Sequence, residues 1–529
     1  MYDLVIRGGE ICDGTGKVPF VADIGIINSR IVDIGQIDPA LARECLDATE
    51  ATVSPGFIDF HSHADMAILN YPECHSKIMQ GVTTEVIGNC GFSASPVNNE
   101  RLNLLEKYIS PMLGTPRCPW TWSTFNEYLS LLESNKHSPN VAAFVGHGTL
   151  RIFAMGFSSN APSSDEMKKM ISALEDSLAA GAIGMSIGLI YAPACYADRT
   201  EIEELFRVVA RFNKLVAVHM RNESDMLIDS VKEMISIAEA TGTRLHISHL
   251  KASGSANWGK TLQVLELMDD ARARGISITC DQYPYTAGST TINTLLPQWV
   301  LEGGVLNMTT RLRQKQVRDK IKHDYEVGIS GWDCLVRANG WENIMVSWVG
   351  KDSVQHFTGK TLSQIAVELG KDPADALFDL IVEVEGNASI IVFQQSEDDI
   401  KRVMQSGYSV IGSDGLYYGI KPHPRLYGTF ARVLGRYVRE LKVINLQEAI
   451  RKMTSLPANI AGLPMRGYIK KGYYADIVVF LPEQIQDLAT YTEPSLYPCG
   501  IKYVLVNGIP VAVEGAHTGI RPGKVIKVS

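Results

Sequence analysis

Residues Leu215–Lys251 read LVAVHMRNESDMLIDSVKEMISIAEATGTRLHISHLK. The stretch opens on a short apolar run rich in β-branched residues, passes through an amphipathic segment over Met226–Ala240, and returns to a second short run, RLHIS. Period two, then period 3.6, then period two is the outline of a strand–helix–strand unit. Such a unit joins parallel strands, because only a crossover of this length brings the chain back to the same end of a sheet. Each run also carries a histidine at its end, His219 in the first and His249 in the second.

The same unit repeats outward in both directions. Eight strand candidates can be counted: GFIDFHSH, TTEVIGNC, NVAAFVGHG, AIGMSIGL, LVAVHMR, RLHISHLK, ISITCDQYPY and YSVIGSDG. Amphipathic segments at Asp165–Ala179, Glu201–Phe212 and Thr261–Ala273 fall in the gaps. Eight alternations over roughly 400 residues give the outline of an α/β (β/α)8 TIM barrel, with a doubly wound open sheet as the competitor. The segment from about 290 to 350 is too long for a simple strand-to-helix connection and is expected to be an excursion over the barrel mouth. Both ends of the chain read as short strands instead. VADIGIINSRIVDIG turns at Asn28-Ser29, and KYVLVNGIPVAV turns at Asn507-Gly508. A small β domain built from both termini, residues 1–55 plus 466–529, is expected beside a barrel over 56–465.

With 50 basic and 58 acidic residues the formal net charge is −8, spread without long runs. That gives no reason to expect nucleic acid or an anionic membrane as partner. No run of 18 apolar residues is present, and MYDLVIRGGE lacks the features of a signal peptide, so a cytoplasmic protein is expected. Nine scattered cysteines without a CxxC pair fit reduced thiols.

Residues suited to hold a metal lie at the strand ends. His61 and His63 end the first strand, Cys90 the second, His219 the fifth, His249 the sixth and Asp414 the eighth. Two histidines in an isolated HxH are more often a surface pair, but six such residues at C-terminal strand ends form a rim, where barrel enzymes build their sites. Imidazole, thiolate and carboxylate donors suit a borderline-soft divalent ion, usually zinc. Cys90, His219 and His249 could form a three-ligand site, with His61 and His63 in the same site or in a weaker neighbour. Asp414 could be a ligand or a general base. His246, three residues before His249, is expected on the opposite, helix-facing side of its strand, and His147 is a candidate for outer support of the site.

HSH after PGFID, IGNCG, AVHMR, HISHLK, DQYPYTAGST, IGSDG and HPRLYGTF, in this order along essentially the whole chain, resemble the N-acyl-D-amino-acid deacylases (D-aminoacylases) of the amidohydrolase superfamily. The resemblance implies a distorted barrel with a small β-sandwich domain from both termini. It implies a tight Zn²⁺ at Cys90, His219 and His249 and a weaker site using His61 and His63. It further implies that Lys251 and Arg425 grip the substrate carboxylate, with Tyr283 and Ser289 nearby, and that Tyr191 donates to the scissile carbonyl or the oxyanion. The fourth strand, AIGMSIGLIYAP, lacks the lysine that many cyclic-amide hydrolases of the superfamily carbamylate between two metals. The expected activity is therefore zinc-dependent cleavage of the amide of a small-molecule N-acyl-D-amino acid, with Asp414 as base and then acid. A hydantoinase-like cyclic amidase and a non-enzymatic scaffold are the alternatives.

Overall fold

The computed structural model describes residues 1–417 and 419–528. Eight parallel strands form a barrel: β1 Phe57–Asp59, β2 Val82–Ile87, β3 Asn140–Ala143 resuming at Val145–Gly146, β4 Gly184–Gly188, β5 Leu215–His219, β6 Arg244–Ile247, β7 Ile278–Gln282 and β8 Ser409–Ile411. β1, β2 and the first part of β3 pair in that order, and the second part of β3 continues through β4, β5, β6 and β7 to β8. The ring closes where Asp414 N donates to His61 O at 2.7 Å. The break within β3 and this sparse seam distort the (β/α)8 barrel. Gly412 stands at the seam, and a Cβ there would lie 2.5 Å from His61 Cβ, so the close approach of the first and last strands requires glycine.

Side-chain alternation explains which residues look inward. Leu215 and Ala217 of β5 pack inside with Ile58, Phe60, Val86 and Val410, whereas Val216 and Val218 join the helix layer. His219 has the parity of Leu215 and Ala217 and so faces the interior. The helix after β5 runs Leu227–Thr241 and stops at Gly242, whose φ of +69° gives the left-handed C-terminal turn. The helix Ser164–Ala179 begins on a capping box, Ser163 with Glu166.

The two ends of the chain share one nine-stranded sheet. Its seam is the antiparallel pair Thr52–Pro55 with Ile477–Phe480. The run IVVF is apolar throughout because both faces are buried: Ile477 and Val479 pack with Ile6, Ile24 and Leu505, while Val478 and Phe480 pack with Phe57, Met79 and Phe430 under the barrel. The turns at Asn28-Ser29 and Asn507-Gly508 both run through positive φ, which suits tight hairpins.

Between β7 and β8 the chain leaves the barrel. Strands Ala287–Thr291, Ile344–Val349 and Ala388–Phe393 form a three-stranded antiparallel sheet, and helices between them bury their own core around Ile292, Leu295, Ile321, Leu377 and Phe378. This compact segment continues well past residue 350. Among the described residues no helix is long and apolar enough to cross a membrane.

Candidate metal centre

Five side chains meet at the C-terminal rim. The donor atoms of His61, His63 and Cys90 lie within 4.8 Å of one another, and so do those of Cys90, His219 and His249. Cys90 belongs to both groups. Its sulfur is 3.2 Å from His61 Nε2 and 3.3 Å from His249 Nε2. Burial pushes its thiol up, yet the imidazoles of His61 and His249 outweigh that and hold it well below the usual thiol range.

Local backbone delivers these groups. Cys90, His249 and Asp414 follow the ends of β2, β6 and β8, and all three have positive φ, at 55°, 35° and 50°. A left-handed residue just beyond a strand turns its side chain back over the barrel mouth, a conformation that costs energy in any residue but glycine.

This turn corrects the expected placement of His246. Leu245 and Ile247 of β6 face the helix layer, so His246 is the residue that points into the barrel. It packs on Phe60 with ring centroids 4.6 Å apart and places Nε2 2.9 Å from Asp281 Oδ2. His249 has the outward parity and reaches the rim because the strand ends at Ile247. His147 pairs through Nε2 with Glu201 Oε1 at 2.7 Å, which ties it to the helix Arg199–Arg211.

Two carboxylates that the strand-end argument passed over support the centre. Asp281 also accepts from His249 N at 2.8 Å and lies 3.1 Å from His61 Nδ1, fixing the orientation of that ring. It sits inside the run ISITCDQ, at the end of β7, so the rim rule applied to the seventh strand finds it. Glu223, four residues beyond His219, lies 3.1 Å from His249 Nδ1 and 2.6 Å from Lys251 Nζ.

Asp414 stands beside the donors. Its Oδ1 is 3.0 Å from His63 Nε2 and its Oδ2 2.9 Å from Arg425 Nη1. Burial pushes this carboxyl up, but the Arg425 guanidinium and the His61 imidazole overcome it and keep the group well below the ordinary range. Arg425 is fully buried, stacks over Tyr283 at 4.4 Å and donates from Nη2 to Ser289 O at 3.1 Å. Lys251, Tyr283, Ser289 and Tyr191 line the same cleft as His219, His249 and Asp414. Among the described residues the Tyr283 hydroxyl, buried there, has no hydrogen-bond partner, and the Tyr191 hydroxyl is 2.9 Å from Thr290 Oγ1.

The donor set fits a metal ion. Among the described residues neither ring nitrogen of His219, nor Nδ1 of His63, has a hydrogen bond, although His219 Nε2 lies 3.7 Å from Glu223 Oε2; a buried ring nitrogen left so is costly unless an ion takes its lone pair. Burial also pushes the His219 imidazole down, toward the neutral form a metal needs.

A parallel barrel with thiolate and imidazole donors at its rim and an ionised carboxylate beside them is the architecture of a metal-dependent hydrolase. Residues 44–512 match the model of the Amidohydrolase family, and the chain belongs to that family. It is 36% identical to the N-acyl-D-glutamate deacylase of Alcaligenes xylosoxydans xylosoxydans, over 99% of this chain and 96% of that protein. It is 34% identical to the D-aminoacylase of the same organism, over 99% of this chain and 97% of that protein. Among solved structures it resembles the N-acyl-D-glutamate deacylase of Bordetella bronchiseptica, complexed with zinc and a phosphonate inhibitor that mimics the tetrahedral intermediate. That likeness has a TM-score of 0.83 and 35% identity, over 99% of each chain.

Proposed function

We propose that the chain is a zinc-dependent deacylase that hydrolyses the amide of N-acyl-D-amino acids to a carboxylate and a free D-amino acid. One observation carries the reading. A single cleft is lined by His219, His249, an ionised Asp414, Lys251 and the Tyr283 hydroxyl, with Cys90 completing the donor group and Arg425 buried directly behind Asp414. The relatives that match over nearly their whole length are deacylases of this kind, and the Bordetella enzyme was solved with zinc. The nine free cysteines suit a reducing cytoplasm.

Cys90, His219 and His249 would hold the tight ion, and His61 and His63, sharing Cys90, a weaker second one. A bound zinc supplies Lewis acidity, polarising the acyl carbonyl and lowering the pKa of water to about 7. Asp414 takes the proton of the attacking water and returns it to the departing amine nitrogen, so one carboxylate serves both half-steps. Tyr191 donates to the developing oxyanion, exchanging its bond to Thr290 Oγ1 for that contact. Arg425 and Lys251 hold the α-carboxylate, assisted by Tyr283 and Ser289. With the acyl oxygen and the carboxylate both fixed, the positions of hydrogen and side chain on Cα follow, which selects one enantiomer.

The cyclic-amidase alternative calls for a bridging lysine after β4, and Ile190, Tyr191 and Ala192 stand there instead. The scaffold alternative calls for lost ligands, and all the donors are present. A panel of N-acetyl-D and N-acetyl-L amino acids with hydantoins, run on protein of known zinc content, tests the reading. Turnover confined to N-acetyl-D-amino acids is expected. Turnover of hydantoins alone, or of nothing by zinc-loaded protein, overturns it.

A further inference from the structure

A second, mostly apolar pocket adjoins the metal cleft and shares Ile190 and Tyr191 with it as a common wall. Three aromatic rings line one side: Phe92 stacks on Tyr108 with centroids 4.4 Å apart, and Phe157 meets Tyr108 edge-on at 6.0 Å. Leu301, Val305 and Met308 of the β7–β8 excursion line the other. The Tyr108 hydroxyl is turned away, donating to Gly91 O at 3.2 Å. Among the described residues Lys107 is the one charged lining residue, and it is paired with Glu385 at 3.2 Å. Thr291, Asn293 and Thr294 form a polar edge; the rest of the pocket offers a substrate apolar surface and no uncompensated charge.

Its position on the barrel says which part of a substrate it faces. The carboxylate-gripping residues follow β6 (Lys251), β7 (Tyr283, Ser289) and β8 (Arg425), whereas the aromatic wall follows β2 (Phe92, Tyr108), β3 (Phe157) and β4 (Tyr191). In a closed eight-strand barrel these are opposite sides of the rim. A trans amide sends its Cα and its acyl chain in opposite directions from the C–N bond. With the carbonyl at the donor atoms and the carboxylate at Arg425, the acyl chain leaves toward Phe92. That ring lies 6.5 Å from His63 and 4.8 Å from Tyr191.

Resting on the deacylase reading, we propose that this pocket is an acyl-chain site and that the enzyme favours N-acyl-D-amino acids whose acyl group is a longer apolar chain over their N-acetyl counterparts. Each methylene that leaves water for such a wall is worth about 0.8 kcal/mol, a factor of about four in kcat/KM.

The test uses the zinc-loaded full chain and one D-amino acid, the best of the N-acetyl panel, acylated with acetyl, propionyl, butyryl and hexanoyl groups. kcat/KM is expected to rise along the series, with butyryl on the order of tenfold above acetyl. Val305→Trp, which fills the pocket, is expected to bring the butyryl/acetyl ratio close to one. Because this is a ratio within one variant, partial misfolding leaves it readable. A flat or falling series in the native enzyme overturns the acyl-chain site while leaving the deacylase reading intact. So does a Val305→Trp variant that keeps the acyl ratio but changes the ranking of D-residues, which would make this the side-chain pocket. Failure to cleave any member of the series or the panel overturns both.

Discussion

Arg425 sets Nη1 2.9 Å from Asp414 Oδ2, so the residue proposed to grip the substrate and the residue proposed to move its proton form one buried ion pair. This coupling gives Arg425 two separable effects. Loss of a charge-assisted contact to the carboxylate, worth about 1.5–3 kcal/mol, lowers kcat/KM for the free acid roughly tenfold to a hundredfold in Arg425→Met. The variant also discriminates less between that acid and its carboxamide. The second effect is on pH. The guanidinium holds the Asp414 carboxyl down against the upward push of burial. The base is ionised only above its own pKa, so removing the guanidinium moves the acid limb of kcat/KM to higher pH. An unchanged acid-to-amide ratio together with an unmoved acid limb would remove Arg425 from both roles.

Asp414 itself is needed for turnover more than for binding. Asp414→Asn keeps the shape of the side chain and the contact with His63 but cannot accept a proton. A fall in kcat of about 10²–10⁴-fold with KM little changed is expected from steady-state kinetics at constant zinc content. A variant that retains most of its kcat would take Asp414 out of the mechanism.

Cys90 belongs to both donor groups, whereas His61 and His63 belong to one. Cys90→Ala is therefore expected to lose bound zinc and activity together, while His61→Ala and His63→Ala keep most of the tight ion. Elemental analysis of the three purified variants decides it. Full zinc in Cys90→Ala, or none in both histidine variants, would require a different ligand set.

Strand ends were the legible part of this site because a barrel sends everything at its C-terminal rim toward one place, whatever the sequence separation. That rule brings His61, Cys90, His219, His249 and Asp414 together without any knowledge of loop geometry. It fails at His246 because parity holds only while the chain stays in the strand. The positive φ of His249 comes after β6 has ended, and no residue pattern in HISHLK announces it. Glu223 was hidden for a related reason: its pairing with Lys251 joins two loops, and loop pairings leave no periodic trace. The two hairpins of the terminal sheet are legible from their turns, Asn28-Ser29 and Asn507-Gly508. The excursion was recognised by length alone, since its core of Ile292, Leu377 and Phe378 closes on itself and owes nothing to the barrel period.

Beneath the catalytic rim, one carboxylate ties the first strand to the last. Asp59, at the end of β1, accepts from Ser413 N at 2.7 Å and His61 N at 3.3 Å through Oδ1. Through Oδ2 it accepts from Lys77 Nζ at 2.5 Å and Ser413 Oγ at 2.6 Å. Asp59 and Lys77 are both fully buried. Removing one member of such a pair strands the other charge in the interior, at a cost of about 3–5 kcal/mol, whereas removing both is far better tolerated. Lys77→Met is therefore expected to lower the urea midpoint substantially, and Lys77→Met combined with Asp59→Asn to recover much of the loss. Activity follows a different order. Ser413 and His61 flank Asp414 and His63, and an asparagine at position 59 keeps only one acceptor oxygen for the three donors left once Lys77 is gone, Ser413 N, Ser413 Oγ and His61 N. The double variant is expected to recover stability without recovering kcat, because the rim it leaves is folded but no longer held in register. Equal recovery of both would mean that the Asp59–Lys77 pair serves stability alone.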